Sequence, residues 1–232
     1  MNLQELLTKP ILIIVGKSAS GKDTLQRRLQ EKCGTLSFVS VTTRPMRDNE
    51  TEGIDYFFRD KDEFFRLVGK GNIFEYRSYD TLVNNISDTW FYGSIKQTLQ
   101  PDTKYTVVVD IDGALAYIEA YGPENCSVIY IECPEDIREE RAKKRGSFDK
   151  KEWDRRAEDD AEKFSKERLA LIGETLGQKE YIKIINSSAD IEDAEVQIKK
   201  YFSKEWQEFC LHQYCRICAY NKDGECTRSN EI

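Results

Sequence analysis

The apolar positions of this chain fall into two alternating patterns. Ile11–Val15 is an unbroken apolar run closed by Gly16. That is the signature of a strand buried on both faces. Leu25 and Leu29, four apart in a polar stretch, predict a helix over Thr24–Cys33. Leu36–Val41 predicts a second strand. From Thr42 to Ser94 the pattern changes: short aromatic-rich strands (Tyr56–Phe58, Ile73–Tyr76, Trp90–Tyr92) surround a short helix at Lys61–Val68. This segment reads as an antiparallel insertion. Alternation then resumes with strands at Tyr105–Ile111, Ser127–Glu132 and Tyr181–Asn186. The helices between and beyond them fall at Ala114–Ala120, Pro134–Lys144, Trp153–Leu171 and Ala189–Phe209. The charged, glycine-broken stretch Lys143–Lys151 predicts a mobile connection. Strands alternating with helices predict an α/β fold, a parallel sheet core covered by helices.

Composition narrows the class of partner. The 232 residues carry 35 basic and 42 acidic side chains, a formal charge of -7. An acidic chain is not expected to present a general nucleic-acid surface. No apolar run approaches the roughly 18 to 20 residues of a membrane helix. The expected compartment is cytoplasmic, with no membrane partner, and monomer and homodimer stay equally open.

The chemistry starts where the first strand stops. GKSASGKD sets Gly16, Gly21 and Lys22 at G-x(4)-G-K spacing between a strand and a helix. Glycines let the backbone curl so that N–H groups of Lys17, Ser18, Ala19, Ser20, Gly21, Lys22, Asp23 and Thr24 line one concavity. The helix behind adds its positive end, and Lys22 a full charge for the β- and γ-phosphates. The loop therefore predicts ATP binding. Asp23 occupies the place where a Ser or Thr hydroxyl usually touches Mg²⁺, and Thr24 follows one residue late.

Downstream, SVTTRPMR is followed by Tyr56 in GIDYFF, nine residues after Arg47. FEY (Phe74–Tyr76), YGS (Tyr92–Ser94) and DIDG (Asp110–Gly113) come next. In this order, behind this loop, the strings resemble the guanylate kinase family, from about Ile11 to Asn186. The resemblance implies an ATP- and Mg²⁺-dependent kinase converting GMP or dGMP to the diphosphate, with a mobile lid at about 141–156. It implies that Arg44, Arg47, Tyr56 and Tyr92 receive the monophosphate, two guanidinium forks and phenols suiting a dianion. Glu75, with Asp112, Ser40 and Ser94, would read guanine. A carboxylate accepts from the adjacent N1–H and amine donors, whereas adenine presents a lone pair at N1 and is rejected. Asp110 ends an apolar strand and is the candidate for orienting water on Mg²⁺. Arg141, Arg145 and Arg156, four and eleven residues apart, match the lid arginines that neutralise the transferring group.

Two features depart from the family pattern. The connection between FEY and YGS is longer, at Asp80–Thr89, and DID runs directly into Gly113 and Ala114. Rival readings are a broader deoxynucleotide kinase, a ribose bisphosphate phosphokinase (whose phosphate loop also carries GKD), and a non-catalytic interaction module of the same fold. A sugar acceptor needs no base-reading carboxylate, and such modules typically lose the loop lysine or the lid arginines.

Domain organisation is expected to be one kinase-like domain over 1–209, with the acceptor insertion at about 42–96, and a cysteine-rich tail at 210–232. Four of the seven cysteines crowd into that tail. Cys215 and Cys218 form a two-residue knuckle and Cys226 follows a turn, with Cys210 or His212 as fourth ligand. Structural zinc and a frayed tail of free thiols are the two readings there, with an iron–sulfur cluster a lesser alternative. Cys33, Cys126 and Cys133 read as ordinary buried thiols.

Overall fold

The computed structural model describes residues 9–47, 50–83, 86–144, 148–177 and 181–186. The expected helix at Ala189–Phe209, Arg145 and the whole cysteine-rich tail lie outside the described residues. The chain forms two compact units: one holds the residues up to Ser37 and from Asp102 onward, the other Phe38–Pro101.

The first unit is built on a five-stranded, wholly parallel sheet. Its strands are β1 (Ile11–Gly16), β2 (Leu36–Ser37), β7 (Tyr105–Val108), β8 (Cys126–Glu132) and β9 (Ile182–Ile185), in the order β2-β7-β1-β8-β9. The apolar run Ile11–Val15 occupies the centre and is fully buried. Its register with β8 continues to Gly16 opposite Ile131. Helix α1 (Lys22–Cys33) contributes Leu25 and Leu29 to the core, and α3 (Ile111–Tyr121) contributes Ile111, Ala114, Tyr117 and Ile118. Each leucine or isoleucine among these is worth about 1.5–3 kcal/mol of burial. Helices α4 (Glu135–Lys144), α5 (Lys150–Lys163) and α6 (Lys166–Thr175) follow β8.

The expected single charged helix at Trp153–Leu171 is two helices. The Ser165 hydroxyl accepts the Arg168 N–H and caps α6, while Phe164 turns inward to stack on Tyr130 at 6.0 Å. A new N-cap and a buried aromatic together outweigh the continuous charge pattern.

The second unit holds a four-stranded sheet, order β4-β3-β6-β5, made from β3 (Ser40–Thr42), β4 (Tyr56–Phe58), β5 (Ile73–Val83) and β6 (Ile86–Ile95). Helix α2 (Lys61–Gly69), capped by the Asp60 carboxylate on Glu63 N–H, supplies Phe64 to a core with Val41 and Ile73. Three expectations change here. The segment Leu36–Val41 is not one strand: Leu36–Ser37 pairs with β7, whereas Ser40–Thr42 pairs with β4 and β6. Alternation alone could not name the partner. The sheet is mixed rather than antiparallel, because β3 and β4 run parallel. Within the longer Asp80–Thr89 connection, Asp80–Val83 and Ile86–Thr89 are paired strand, with Val83 opposite Ile86. Asp80 helps by accepting the Thr89 hydroxyl at 2.8 Å.

Candidate active site

Gly16 ends β1 where no side chain fits. A Cβ there would lie 2.7 Å from the Ile131 carbonyl oxygen and 2.8 Å from Ser20 Oγ. The loop then curls through Ala19 (φ 59°) and Gly21 (φ 100°), both in the left-handed region. Such reversals turn consecutive N–H groups toward one concavity. Lys22 Nζ reaches back across the loop to the Lys17 carbonyl at 2.9 Å.

Side chains from elsewhere in this unit take up the loop's carbonyls. Arg141 Nη1 donates to the carbonyls of Ala19 (3.5 Å) and Ser20 (3.3 Å), and Arg138 Nη1 donates to that of Ser18 (3.3 Å). Buried Asn186, at the end of β9, donates to the Ser20 carbonyl at 2.8 Å and accepts from Arg141 Nη2 at 3.2 Å. Two of the loop's own N–H groups are engaged as well, that of Ser18 by Asp160 Oδ2 at 2.7 Å and that of Ser20 by the Lys17 carbonyl at 3.2 Å. A hollow of about 320 Å³ opens beside the loop, lined by Lys17, Arg138, Cys133, Pro134 and Ile185 among others. It sits at the carboxyl ends of β8 and β9, where parallel sheets hold ligands.

Asp23 is exposed on the first turn of α1 and Thr24 is half-buried. Asp110 caps α3, its Oδ1 accepting the Gly113 N–H at 2.9 Å, and Oδ2 lies 3.9 Å from Lys163 Nζ. Asp112 is paired with Arg168 of α6. Arg156 is exposed on α5. Cys133 lies 3.4 Å from Arg141 Nη1, and burial pushes its thiol pKa up.

The second unit gathers most of the expected acceptor residues. Arg44 is only 4% exposed. Thr42 and Thr43 anchor its backbone: the Thr42 hydroxyl accepts Arg44 N–H, and both threonines bond to the backbone of Phe91. The Arg44 guanidinium meets Glu50 in a two-pronged pair (2.8 and 2.6 Å), donates to the Pro45 carbonyl, and lies 5.4 Å over the Tyr56 ring. Its pKa is raised, by the Glu50 bond first and by the Tyr92 hydroxyl as well. Tyr56 and Tyr92 pack edge to face at 5.9 Å, and burial raises the Tyr56 phenol pKa, keeping it a neutral donor. Arg47 has an exposed side chain, and its N–H donates to Glu50 at 2.8 Å. The Arg44 bond and the Arg47 N–H hold the Glu50 carboxyl down at about 2.

The other cluster lies on paired strands. Glu75 stands opposite Ser94, whose hydroxyl donates to Glu75 Oε1 at 2.7 Å, while Arg77 Nη1 lies 3.1 Å from Oε2. Each carboxylate oxygen has two lone pairs, so one remains on each for a ligand donor. Ser40 sits half-buried on β3, in register with Tyr56.

Sequence reasoning missed Glu50, Arg77, Asn186 and Arg138. Glu50 stands three residues after Arg47 in a charged loop, where an acid is ordinarily solvated. Asn186 closes an apolar strand, as Asp110 does, and that position was the one available signal.

A strand–loop–helix phosphate cradle on a parallel sheet, with an inserted unit rich in arginine and tyrosine, defines a P-loop kinase. The guanylate kinase family pattern matches residues 8–205. The chain is 32% identical over 189 residues to the guanylate kinase of Mycoplasma genitalium, covering 78% of this chain and 74% of that one. It is 35% identical over 135 residues to that of Legionella pneumophila (strain Lens), covering 56% and 61%. The solved guanylate kinase of Anaplasma phagocytophilum superposes with a TM-score of 0.52 at 25% identity, covering 87% and 89%. The chain belongs to the guanylate kinase family.

Proposed function

We propose that this chain transfers the γ-phosphoryl group of ATP to GMP or dGMP. One observation carries the acceptor assignment: Glu75, steadied by Ser94 and Arg77, lies in the same small sheet as Tyr56 and Tyr92, with Arg44 just beyond the end of β3. That unit offers a carboxylate for a base with adjacent donors and, in Arg47, Tyr56, Tyr92 and the Glu50-paired Arg44, guanidinium and phenol donors for a dianion.

In this reading ATP lies on the Gly16–Thr24 loop, with its phosphates on Lys22 and on loop N–H groups other than those of Ser18 and Ser20, which Asp160 and the Lys17 carbonyl hold. Arg44, Arg47, Tyr56 and Tyr92 hold the acceptor phosphate. Glu75, Ser94 and Ser40 receive guanine within the second unit; Asp112, the other expected base reader, belongs to the first unit and is paired with Arg168. An oxygen of the monophosphate attacks the γ-phosphorus, and ADP leaves. That oxygen is already anionic, so no strong general base is needed, and catalysis is mainly positioning and charge neutralisation. Arg141, Arg145 and Arg156 supply cationic charge to the transferring group.

The donor set suits Mg²⁺ held chiefly by ATP. Among the described residues no cluster of three His, Cys, Asp or Glu could cage a metal. Mg²⁺ commonly keeps its waters and binds through one carboxylate plus phosphates. Asp110, whose Oδ1 caps α3 and whose Oδ2 lies 3.9 Å from Lys163 Nζ, is the carboxylate that would orient a metal-bound water. When bound, the ion would screen the β- and γ-phosphates. Among the described residues no helix is long and apolar enough to cross a membrane, and an ATP donor suits a cytoplasmic setting. The zinc reading of Cys210, His212, Cys215, Cys218 and Cys226 stays with the tail as a separate proposal.

A coupled ADP-release assay with GMP, dGMP, AMP, CMP, UMP and ribose phosphates tests the assignment. Guanine nucleotides are expected to be the best acceptors, and Glu75→Gln to reduce their turnover selectively. Robust turnover of another acceptor with none of GMP or dGMP would overturn it.

A further inference from the structure

The phosphate loop is gripped at Ser18 by a buried ion pair that neither the fold nor the proposed chemistry requires. Asp160 of α5, 7% exposed, accepts the Ser18 N–H through Oδ2 at 2.7 Å. Arg138 of α4, 2% exposed, donates to the Ser18 carbonyl at 3.3 Å, and its Nη1 lies 3.5 Å from the same Asp160 oxygen. The guanidinium is fixed from behind by the Cys133 carbonyl at 3.2 Å and by the Trp153 ring at 5.6 Å.

We propose that Arg138 and Asp160 are positioning residues for ATP, setting the curvature of the phosphate loop through both polar ends of Ser18. The inference rests on the loop being the ATP site. Ala19, the next residue, holds a positive φ without being glycine, a conformation that persists only when its surroundings enforce it. The clamp on Ser18 and the Arg141 and Asn186 bonds to Ala19 and Ser20 are that enforcement.

The pairing also resolves an electrostatic conflict. A carboxylate beside an anion-binding loop would repel triphosphate. Arg138 cancels that charge while Asp160 keeps its hydrogen bond, so the pair shapes the loop at no net charge. Removing Arg138 alone leaves the Asp160 charge bare against the loop. The single loss of Arg138 is therefore worse for ATP than the loss of both charges. A clamp that served folding alone would not distinguish the two substrates.

The experiment compares Asp160→Ala, Asp160→Asn, Arg138→Met and the double variant Arg138→Met/Asp160→Asn. It uses KM for ATP, KM for GMP, and equilibrium binding of a fluorescent ATP analogue, with Tm as the folding control. Asp160→Ala is expected to raise the ATP KM about tenfold, the usual scale for losing a charge-assisted hydrogen bond. The GMP KM should stay within about twofold on that scale. Asp160→Asn, which keeps an acceptor for Ser18, should recover part of the loss, and the double variant should bind ATP better than Arg138→Met. Equal rises in both KM values, an unchanged ATP KM in folded Asp160→Ala, or a double variant worse than Arg138→Met would overturn the proposal. If Asp160→Ala does not fold, the Asn and double variants decide it by the same criteria. Failure of the unsubstituted protein to bind the ATP analogue would instead remove the underlying reading of the loop.

Discussion

Replacing Gly16 with alanine joins the sheet to the phosphate loop in one perturbation. The added methyl would stand 2.7 Å from the Ile131 carbonyl oxygen, 2.8 Å from Ser20 Oγ and 3.4 Å from Ile131 Cβ. Real Cβ contacts are essentially never shorter than 3.0 Å. Neither close neighbour yields easily: Ile131 is held in the parallel ladder opposite Gly16, and Ser20 is fully buried in the loop. Overpacking of this kind costs about 1–3 kcal/mol. At about 2–4 °C per kcal/mol for a chain of this size, the expected fall in Tm is about 2–12 °C. The strain is relieved by moving the loop, so ATP binding suffers as well. A displacement near 1 Å can cost about a hundredfold in rate. Differential scanning calorimetry and steady-state kinetics with varied ATP read both effects. A variant with parental Tm and parental ATP KM would refute the argument that the close approach at Gly16 shapes the loop.

Three further predictions address other parts of the chain. Phe64→Ala removes the central side chain of the Val41–Phe64–Ile73 core and should cost about 3–5 kcal/mol in urea unfolding; a loss below about 1 kcal/mol would contradict a packed core there. Glu50 has its pKa depressed to about 2 by Arg44 and the Arg47 N–H, so its contribution is present above its ordinary value of 4.5 and lost as pH falls toward 2. Glu50→Gln should therefore destabilise the protein near neutrality and flatten the acid limb of stability against pH; curves parallel to the parent would oppose this. Burial pushes the Cys126 thiol up to about 12, so mass-spectrometric mapping should find it unlabelled by a thiol reagent at pH 8 in the native protein and labelled after unfolding.

The chain's own pattern was enough to locate the buried first strand, the phosphate loop and its helix, and the aromatic insertion. Local order carries each of these: an apolar run, glycines at a fixed spacing, and alternation at the period of a strand. The strings around Arg44, Tyr56, Glu75, Tyr92 and Ser94 were singled out by their resemblance, taken in order, to the guanylate kinase family, since each string alone is weak.

Pairing and convergence were decided only in three dimensions. Leu36–Val41 divides between two sheets because strand partners lie far away in sequence. The charged stretch at Trp153–Leu171 breaks because Ser165 offers a cap and Phe164 finds Tyr130. Glu50, Arg138, Asp160 and Asn186 look like ordinary polar residues until folding sets them against Arg44 or the loop. Periodicity records which face of an element is buried, but a buried charge is defined by its partner. Ser18 and Asp160 meet across 142 residues, a separation that no local pattern encodes.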